Sequence, residues 1–340
     1  MKKLIAVLLL LGILMFALGG CVGEGTADAI DDIVGGLEDD FDDYKKDTEP
    51  PKSVLDALDQ MLDNFVSGIS TPPPSSIPSV VLDPDDDDAQ DLISGDNAHT
   101  ADEAELEALI LESLRNIETG VSFEVDGNWL TPDLLYDIVF YRIHDEYMID
   151  AFGLYSYTYS YIQNGTGYIF DLKYTYIDDS TPDEVRAMRD EITEKAKEIV
   201  NDLDINGKSD YEKISAIDGY LCDTVYYPDA PYITHDFTPY GALIDGRSVC
   251  EGYARSTKIL CELCGLDCYF VTGYCNNDPV GGGHAWNLVK VDGKWYQLDT
   301  TWNDGGNNKD YFLVTDDFMS ISRDWDRNRY PASEKTAYSN

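Results

Sequence analysis

Basic residues are scarce. The 340-residue chain has 24 Lys and Arg against 65 Asp and Glu, a formal net charge of −41. A phosphate backbone is gripped by Lys and Arg, so nucleic acid is not an expected partner. Histidine is scarcer still: there are four, with no HExxH pair. That leaves little scope for a histidine-rich metal site, and neither metal nor cofactor is expected. Seven cysteines in a chain of this length do not make a small disulfide scaffold. No internal repeat is visible. What is present is 43% hydrophobic and 12% aromatic residues, more than a wholly disordered chain carries. The length allows one large or two modest domains.

The acidity is uneven. Residues 22–100 hold 21 acids and 3 bases, and residues 101–340 hold 44 acids and 19 bases, so charge is denser in the first stretch. Ahead of it, Lys2 and Lys3 precede an apolar run over residues 4–18 that ends Leu18-Gly19-Gly20-Cys21. Residues 1–20 read as a secretory signal whose cleavage leaves Cys21 first. The ending resembles a bacterial lipobox, which implies a diacylglycerol on Cys21. An uncleaved signal anchor is the alternative, since the run almost reaches spanning length. Either one places the rest of the chain outside the cytoplasm, tethered to the membrane.

Residues 21–99 read as an acidic, Pro-rich, disordered linker. Seven of the 14 prolines fall in residues 50–84, and residues 85–88 are four aspartates. Such a segment buries too little apolar surface to offset chain entropy. As a flexible coil its length spans roughly 50 Å r.m.s., and more when self-repelling. Val54, Leu55, Leu58, Met61, Leu62 and Phe65 have helical spacing, so one short helix interrupts it. The aspartate run lacks the Gly and terminal Glu of an EF-hand loop and reads as solvated charge.

The folded body is expected from near Thr100. Thr100 and Glu103 have capping-box spacing, followed by Leu106, Leu109, Ile110, Leu114 and Ile117 on one helical face. Thr131-Pro132 opens a second helix. Tyr155, Tyr157, Tyr159 and Tyr161 alternate with small polar residues, and Asn164-Gly165 turns the chain into a return strand. The tyrosine stripe is either one face of a hairpin packed on a helix or a sugar-binding surface. Thr181 with Glu184, and Ser209 with Glu212, form two more capping boxes. Residues 100–180 are read as a small α/β accessory region and residues 181–330 as the main domain, in an α+β fold.

The chemistry concentrates between Tyr240 and Trp302. Cys250 opens an apolar-periodic helix that ends at Gly265. Unpaired N–H groups and the macrodipole at a helix start favour a thiolate, and those same groups suit an oxyanion. A strand from His284 turns at Asp292-Gly293 and returns toward Asp299. If Val291 pairs with Lys294, Asp299 falls opposite Trp286 and Thr301 opposite His284. His284 and Asp299 are then diagonal neighbours on one face. Asp299 can fix the imidazole tautomer, and His284 can meet Cys250 if the helix packs on the sheet. Each residue alone more often has a bland role: a buried thiol, a core histidine, a turn aspartate. Their combination favours a catalytic set.

Three blocks also carry a family resemblance. Ser248 through Ala254 (SVCEGYA), Gly283 through Asn287 (GHAWN) and Leu298 through Trp302 (LDTTW) resemble the transglutaminase-like superfamily, in its order and with its short gaps. The stretch over residues 209–225 and Tyr240 through Leu243 are also similar to its bacterial members. The resemblance covers residues 181–315. It implies a papain/transglutaminase-like core, with a helix bearing the nucleophile on an antiparallel sheet. It implies Cys250 as nucleophile, His284 as acid–base and Asp299 as its orienting partner, in acyl transfer on peptide or protein amides. The acceptor, amine or water, stays open, and the family includes members that have lost catalysis. A papain-like protease has its His far downstream, whereas His284 follows Cys250 closely. A cell-wall endopeptidase is a nearer rival, although its third polar residue is usually His. Tyr240, Trp286 and Trp302 are candidates for substrate or oxyanion contact. Cys261, Cys264, Cys268 and Cys275 match no zinc template and read either as a disulfide pair or as buried thiols.

Overall fold

The computed structural model describes residues 79–83, 87–95, 97–229, 233–275, 282–304 and 310–339. The signal segment, Cys21, the linker's short helix and the rest of residues 21–78 lie outside the described residues. Two compact units divide the chain, residues 1–71 with 274–283 and residues 72–273 with 284–340. In the first, the Cys275 amide donates to the Gly282 carbonyl at 3.1 Å. The second holds nearly all of the described helices and strands.

Ordered elements begin ahead of Thr100, which corrects the expected reach of the linker. They are β1 (Ser79–Val81), α1 (Asp87–Ser94) and β2 (Ala98–Thr100). Ala89 and Leu92 of α1 pack on Ile162 and Ile169, and β1 pairs in parallel with residues 159–161. Asp87 and Asp88, read as solvated charge, occupy the first turn of α1, where the helix dipole favours acids. Next come α2 (Glu103–Arg115) and β3 (Gly120–Val125). The cap of α2 is Asp102 rather than Thr100. Its carboxylate accepts from Ala104 and Glu105 N–H at 3.0 Å each, and Glu105 reaches back to the Ala101 amide at 2.8 Å.

Thr131 caps α3 (Pro132–Tyr136), which continues as a π-helical segment over Asp137–His144. The expected hairpin is β4 (Leu154–Asn164) and β5 (Gly167–Tyr176). A bulge between Leu154 and Ser156 breaks the alternation, so Tyr155 is exposed while Tyr157 and Tyr159 are buried. The buried tyrosines stack near Phe140 and Phe170, so this part of the stripe is core. These strands form a five-stranded sheet of order β1-β4-β5-β3-β2.

Both capping boxes form, opening α4 (Pro182–Asp202) and α5 (Asp210–Thr224). Then come α6 (Cys250–Leu263), β6 (Cys268–Cys275), β7 (Gly283–Val291), β8 (Lys294–Leu298), α7 (Thr300–Asp304), α8 (Asp316–Met319) and β9 (Arg323–Asp324). The second sheet has order β8-β7-β6-β9. Val291 pairs with Lys294 and Asn287 with Leu298, the register expected from the turn. The ladder stops there. Thr300 already starts α7, so Thr301 does not come opposite His284; the Asn303 amide instead donates to the Asp299 carbonyl at 3.1 Å.

The main apolar cluster runs from Leu106 through Phe123, Tyr159 and Leu172 to Ile192, Ile217, Leu260, Val289 and Leu313. Packing is therefore continuous across the boundary expected at residue 180. Alternation along β7 sends Ala285, Val289 and Val291 into this cluster. Trp286 and Leu288 join a second one with Val271, Val314, Met319 and Trp325. The fold is α+β, with α6 packed between α4, α5 and α7 and tied to the antiparallel β7–β8 pair through Asn287. Among the described residues, Cys222, Cys250, Cys261, Cys264, Cys268 and Cys275 form no disulfide. Among the described residues, no helix is long and apolar enough to cross a membrane.

Candidate active site

Cys250 is the first residue of α6 and is half-buried. The preceding Val249 has an extended backbone and offers no capping acceptor, so its side chain takes up none of the first N–H groups of the helix. The approach to α6 is fixed from several sides. The Val249 amide donates to the Asp236 carbonyl at 2.9 Å, and the Ser248 hydroxyl donates to the same oxygen at 2.6 Å. Arg247 clamps the buried Asp236 carboxylate through Nε and Nη2, at 2.9 and 3.0 Å. Gly252 sits so close to this segment that a Cβ would lie 1.9 Å from Ser248 Oγ and 2.6 Å from the Thr238 carbonyl oxygen. Only glycine fits there without displacing backbone.

His284 is the second residue of β7, and Asp299 follows the last residue of β8. His284 Nε2 and Asp299 Oδ2 lie 2.7 Å apart, and both side chains are buried. His284 is also hydrogen-bonded to Cys250. With Nε2 on Asp299, Nδ1 is the ring nitrogen left for the sulfur. Asp299 is more than a single-contact partner. It also accepts from Arg323 Nη2 and from the Trp302 amide at 3.1 Å.

The electrostatics follow from this geometry. Burial alone pushes the His284 pKa down; the negative charges of Asp299 and Cys250, and the hydrogen bonds to both, outweigh it and hold the imidazole well above its ordinary value. Burial pushes Asp299 up. The His284 charge and hydrogen bond, the Arg323 charge and the Trp302 amide outweigh it and keep the carboxyl below the usual range. The two directions agree: an imidazolium and a carboxylate are stabilised side by side.

Aromatic rings back the imidazole. Trp286 stacks on it with centroids 5.7 Å apart, and Trp302 tilts against it at 6.0 Å. Trp286 Nε1 donates to Gln297 Oε1 at 2.7 Å, and Gln297 Nε2 donates to Asp316 at 2.8 Å, so the ring is pinned. Asn287 ties the helix to the sheet: its Nδ2 donates to the Ala254 carbonyl at 2.9 Å and the Tyr269 carbonyl at 3.2 Å.

Against known proteins, residues 197–300 match the transglutaminase-like superfamily. The human kyphoscoliosis peptidase (Homo sapiens) is 32% identical over 119 residues, and its mouse counterpart (Mus musculus) 31% over 119. The chain carries a transglutaminase-like domain. Each of those two matches covers 32% of this chain and spans 18% of the length of the curated relative. A solved structure described as a TGase is similar at a TM-score of 0.30 and 14% identity, covering 62% of this chain and 60% of that one.

Within the transglutaminase-like domain, Cys250, His284 and Asp299 are brought together. The other three candidates diverge. Trp302 is 41% exposed beside His284. Trp286 is 1% exposed, so it supports the imidazole from behind rather than touching a substrate. The Tyr240 hydroxyl donates to Glu191 of α4 at 2.9 Å, and burial together with that carboxylate pushes its pKa up to about 12. Its proton is directed at α4 rather than at Cys250. Arg323, which touches Asp299, was not singled out from sequence. No group of three or more His, Cys, Asp or Glu among the described residues is arranged to hold a metal ion.

Proposed function

We propose that Cys250, His284 and Asp299 form a catalytic triad for thiol-dependent acyl transfer on peptide or protein amides. The observation that carries this reading is the buried 2.7 Å contact from His284 Nε2 to Asp299, on an imidazole that is also hydrogen-bonded to Cys250. The sulfur, ionised by transfer of its proton to His284, attacks the amide carbonyl carbon. The oxygen that becomes negative is received at the uncapped start of α6. The C–N bond then breaks, the imidazolium gives its proton to the departing amine, and a thioester remains on Cys250. An amine or a water molecule resolves the thioester, with His284 taking the incoming proton. The curated relatives are called peptidases, which supports hydrolysis as one of the two outcomes.

In this reading the domain works outside the cytoplasm, tethered through a lipidated Cys21 and held off the membrane by the acidic residues that follow. Cys21→Ala is expected to release the protein from the membrane fraction; full retention overturns the lipid anchor and leaves the uncleaved signal anchor. Site-resolved alkylation by iodoacetamide tests the triad. Near pH 6, Cys250 is expected to react at least about tenfold faster than free cysteine. Equal rates overturn the activated-nucleophile reading and leave a non-catalytic binding module. A fluorescent-amine incorporation assay beside a peptide-hydrolysis assay, each with Cys250→Ala as control, identifies the acceptor. Peptide release from purified peptidoglycan tests cell-wall amides as the substrate.

A further inference from the structure

Arg323 comes from β9, the two-residue edge strand of the second sheet, and its side chain is fully buried. Nη2 donates to Asp299 Oδ2 and Nη1 to Ser322 Oγ at 2.7 Å. The guanidinium lies over Trp302 at 4.1 Å and Tyr311 at 4.4 Å from the ring centroids. Its Nε is buried without a hydrogen-bond partner among the described residues. A guanidinium is costly to bury, and an apolar side chain fills an aromatic cage at lower cost. Asp299 already receives His284 and the Trp302 amide, so it does not need a third donor to be hydrogen-bonded. What Arg323 adds is a positive charge.

We propose that Arg323 is a positioning residue whose charge offsets Asp299, so that the ionised set of Cys250, His284, Asp299 and Arg323 is electrically neutral inside the protein. This deepens the acyl-transfer reading and rests on it. With Arg323, the thiolate and carboxylate face an imidazolium and a guanidinium. Without it, the same set carries one uncompensated negative charge in a buried place. Among the described residues, other ionisable groups near it are already engaged. Glu251, next to Cys250, pairs with Arg255 at 2.8 Å, and Arg255 also meets Asp145 and His144, each at 3.3 Å. Asp304 of α7 meets the Tyr253 hydroxyl at 2.6 Å, and Asp218 of α5 accepts from Asn303 at 3.0 Å. Asp236 is held by Arg247 at 2.9 Å. The cations among those groups, Arg255 and Arg247, are paired with Glu251, Asp145 and Asp236, which leaves the compensating charge to Arg323.

The test is the pH profile of Cys250 alkylation in the full chain, with iodoacetamide as probe and Tm recorded for every variant. Removing the positive charge makes the thiolate harder to form. Arg323→Met is expected to move the midpoint up by about one pH unit, a roughly tenfold slower reaction below the midpoint. Arg323→Gln, which keeps a hydrogen bond but no charge, is expected to show the same shift, and it carries the test if the methionine variant does not fold. Arg323→Lys keeps a positive charge but not the planar stacked fork, and is expected to shift the midpoint by less than about half as much as the neutral variants. If neither neutral variant folds, the lysine variant decides alone: a shift of a unit or more overturns the proposal. Neutral variants whose midpoints superimpose on the parent, with only amplitude or Tm reduced, also overturn it while leaving the triad intact. If the parent Cys250 is itself no faster than free cysteine near pH 6, the acyl-transfer reading falls, and this proposal with it.

Discussion

Asp299 accepts from an imidazole, a guanidinium and a backbone amide, and its substitution separates holding from charge. Asp299→Asn keeps the size but turns a purely accepting group into one that also donates. The His284 tautomer is then no longer fixed, and acylation by a peptide or thioester-forming substrate is expected to fall by about three orders of magnitude. The same change leaves Arg323 buried without an anion, so a stability loss of about 3 kcal/mol is expected in denaturant unfolding. Acylation within tenfold of the parent contradicts the assigned role. The pKa directions also set a pH dependence. Asp299 is depressed below 3.8, so its contribution is present above that and lost as pH falls through the folded value. His284 is raised above 6.5, so its contribution is full below that and lost as pH rises through the folded value. Both act together between roughly pH 4 and 6.5. The difference in Tm between the parent and Asp299→Asn is therefore expected to be greatest in that window and to shrink on either side. A difference that grows steadily to pH 9 contradicts the assignment.

The start of α6 is the element on which the candidate site depends. Gly252→Ala places a methyl group against the Thr238 carbonyl and the Ser248 hydroxyl, so the first turn must shift. A loss of about 1–3 kcal/mol is expected, with slower Cys250 alkylation as the helix start moves. Unchanged Tm and alkylation contradict the tight fit. The capping boxes are a milder control: Thr181→Ala or Ser209→Ala is expected to cost about 1 kcal/mol of stability with no effect on Cys250. Much of this level was legible in the sequence. Capping-box spacing located α4 and α5, and Gly265 with φ of +78° ended α6 where expected. Asp292 and Gly293, with φ of +51° and +78°, set the hairpin register that brought His284 toward Asp299. Other features were hidden for physical reasons. β1, β2 and β9 have two or three residues each, too few for any periodicity. Asp102 caps α2 in place of Thr100 because its carboxylate accepts from two of the first N–H groups of the helix, while Glu105 takes the Ala101 amide ahead of it. Arg323 stands between Ser322 and Asp324 in a run of charges that reads as surface. Only the packing of β9 against β6 turns it inward.

At the scale of the molecule the excess of acids must be surface charge. Residues 101–340 hold 44 acids against 19 bases. The buried cations are already taken: Arg323 by Asp299, Arg255 by Glu251 and Asp145, and Lys258 by Glu262 and Glu146. Repulsion among the remaining carboxylates acts through solvent. Salt shortens its range, from about 30 Å at 0.01 M to about 3 Å at 1 M. The His284–Asp299–Arg323 contacts have almost no solvent between them, so screening barely reaches them. Two measurements on one protein should therefore part company. Raising NaCl from about 0.01 M to 1 M is expected to raise Tm by several degrees, because the folded state sheds self-repulsion. Over the same range the pH midpoint of Cys250 alkylation is expected to move by less than about 0.3 units. A Tm indifferent to salt means that the acids are spread widely enough not to oppose folding. A midpoint that moves together with Tm means that the field at Cys250 is set by the surface, and the buried ionic set does not isolate it.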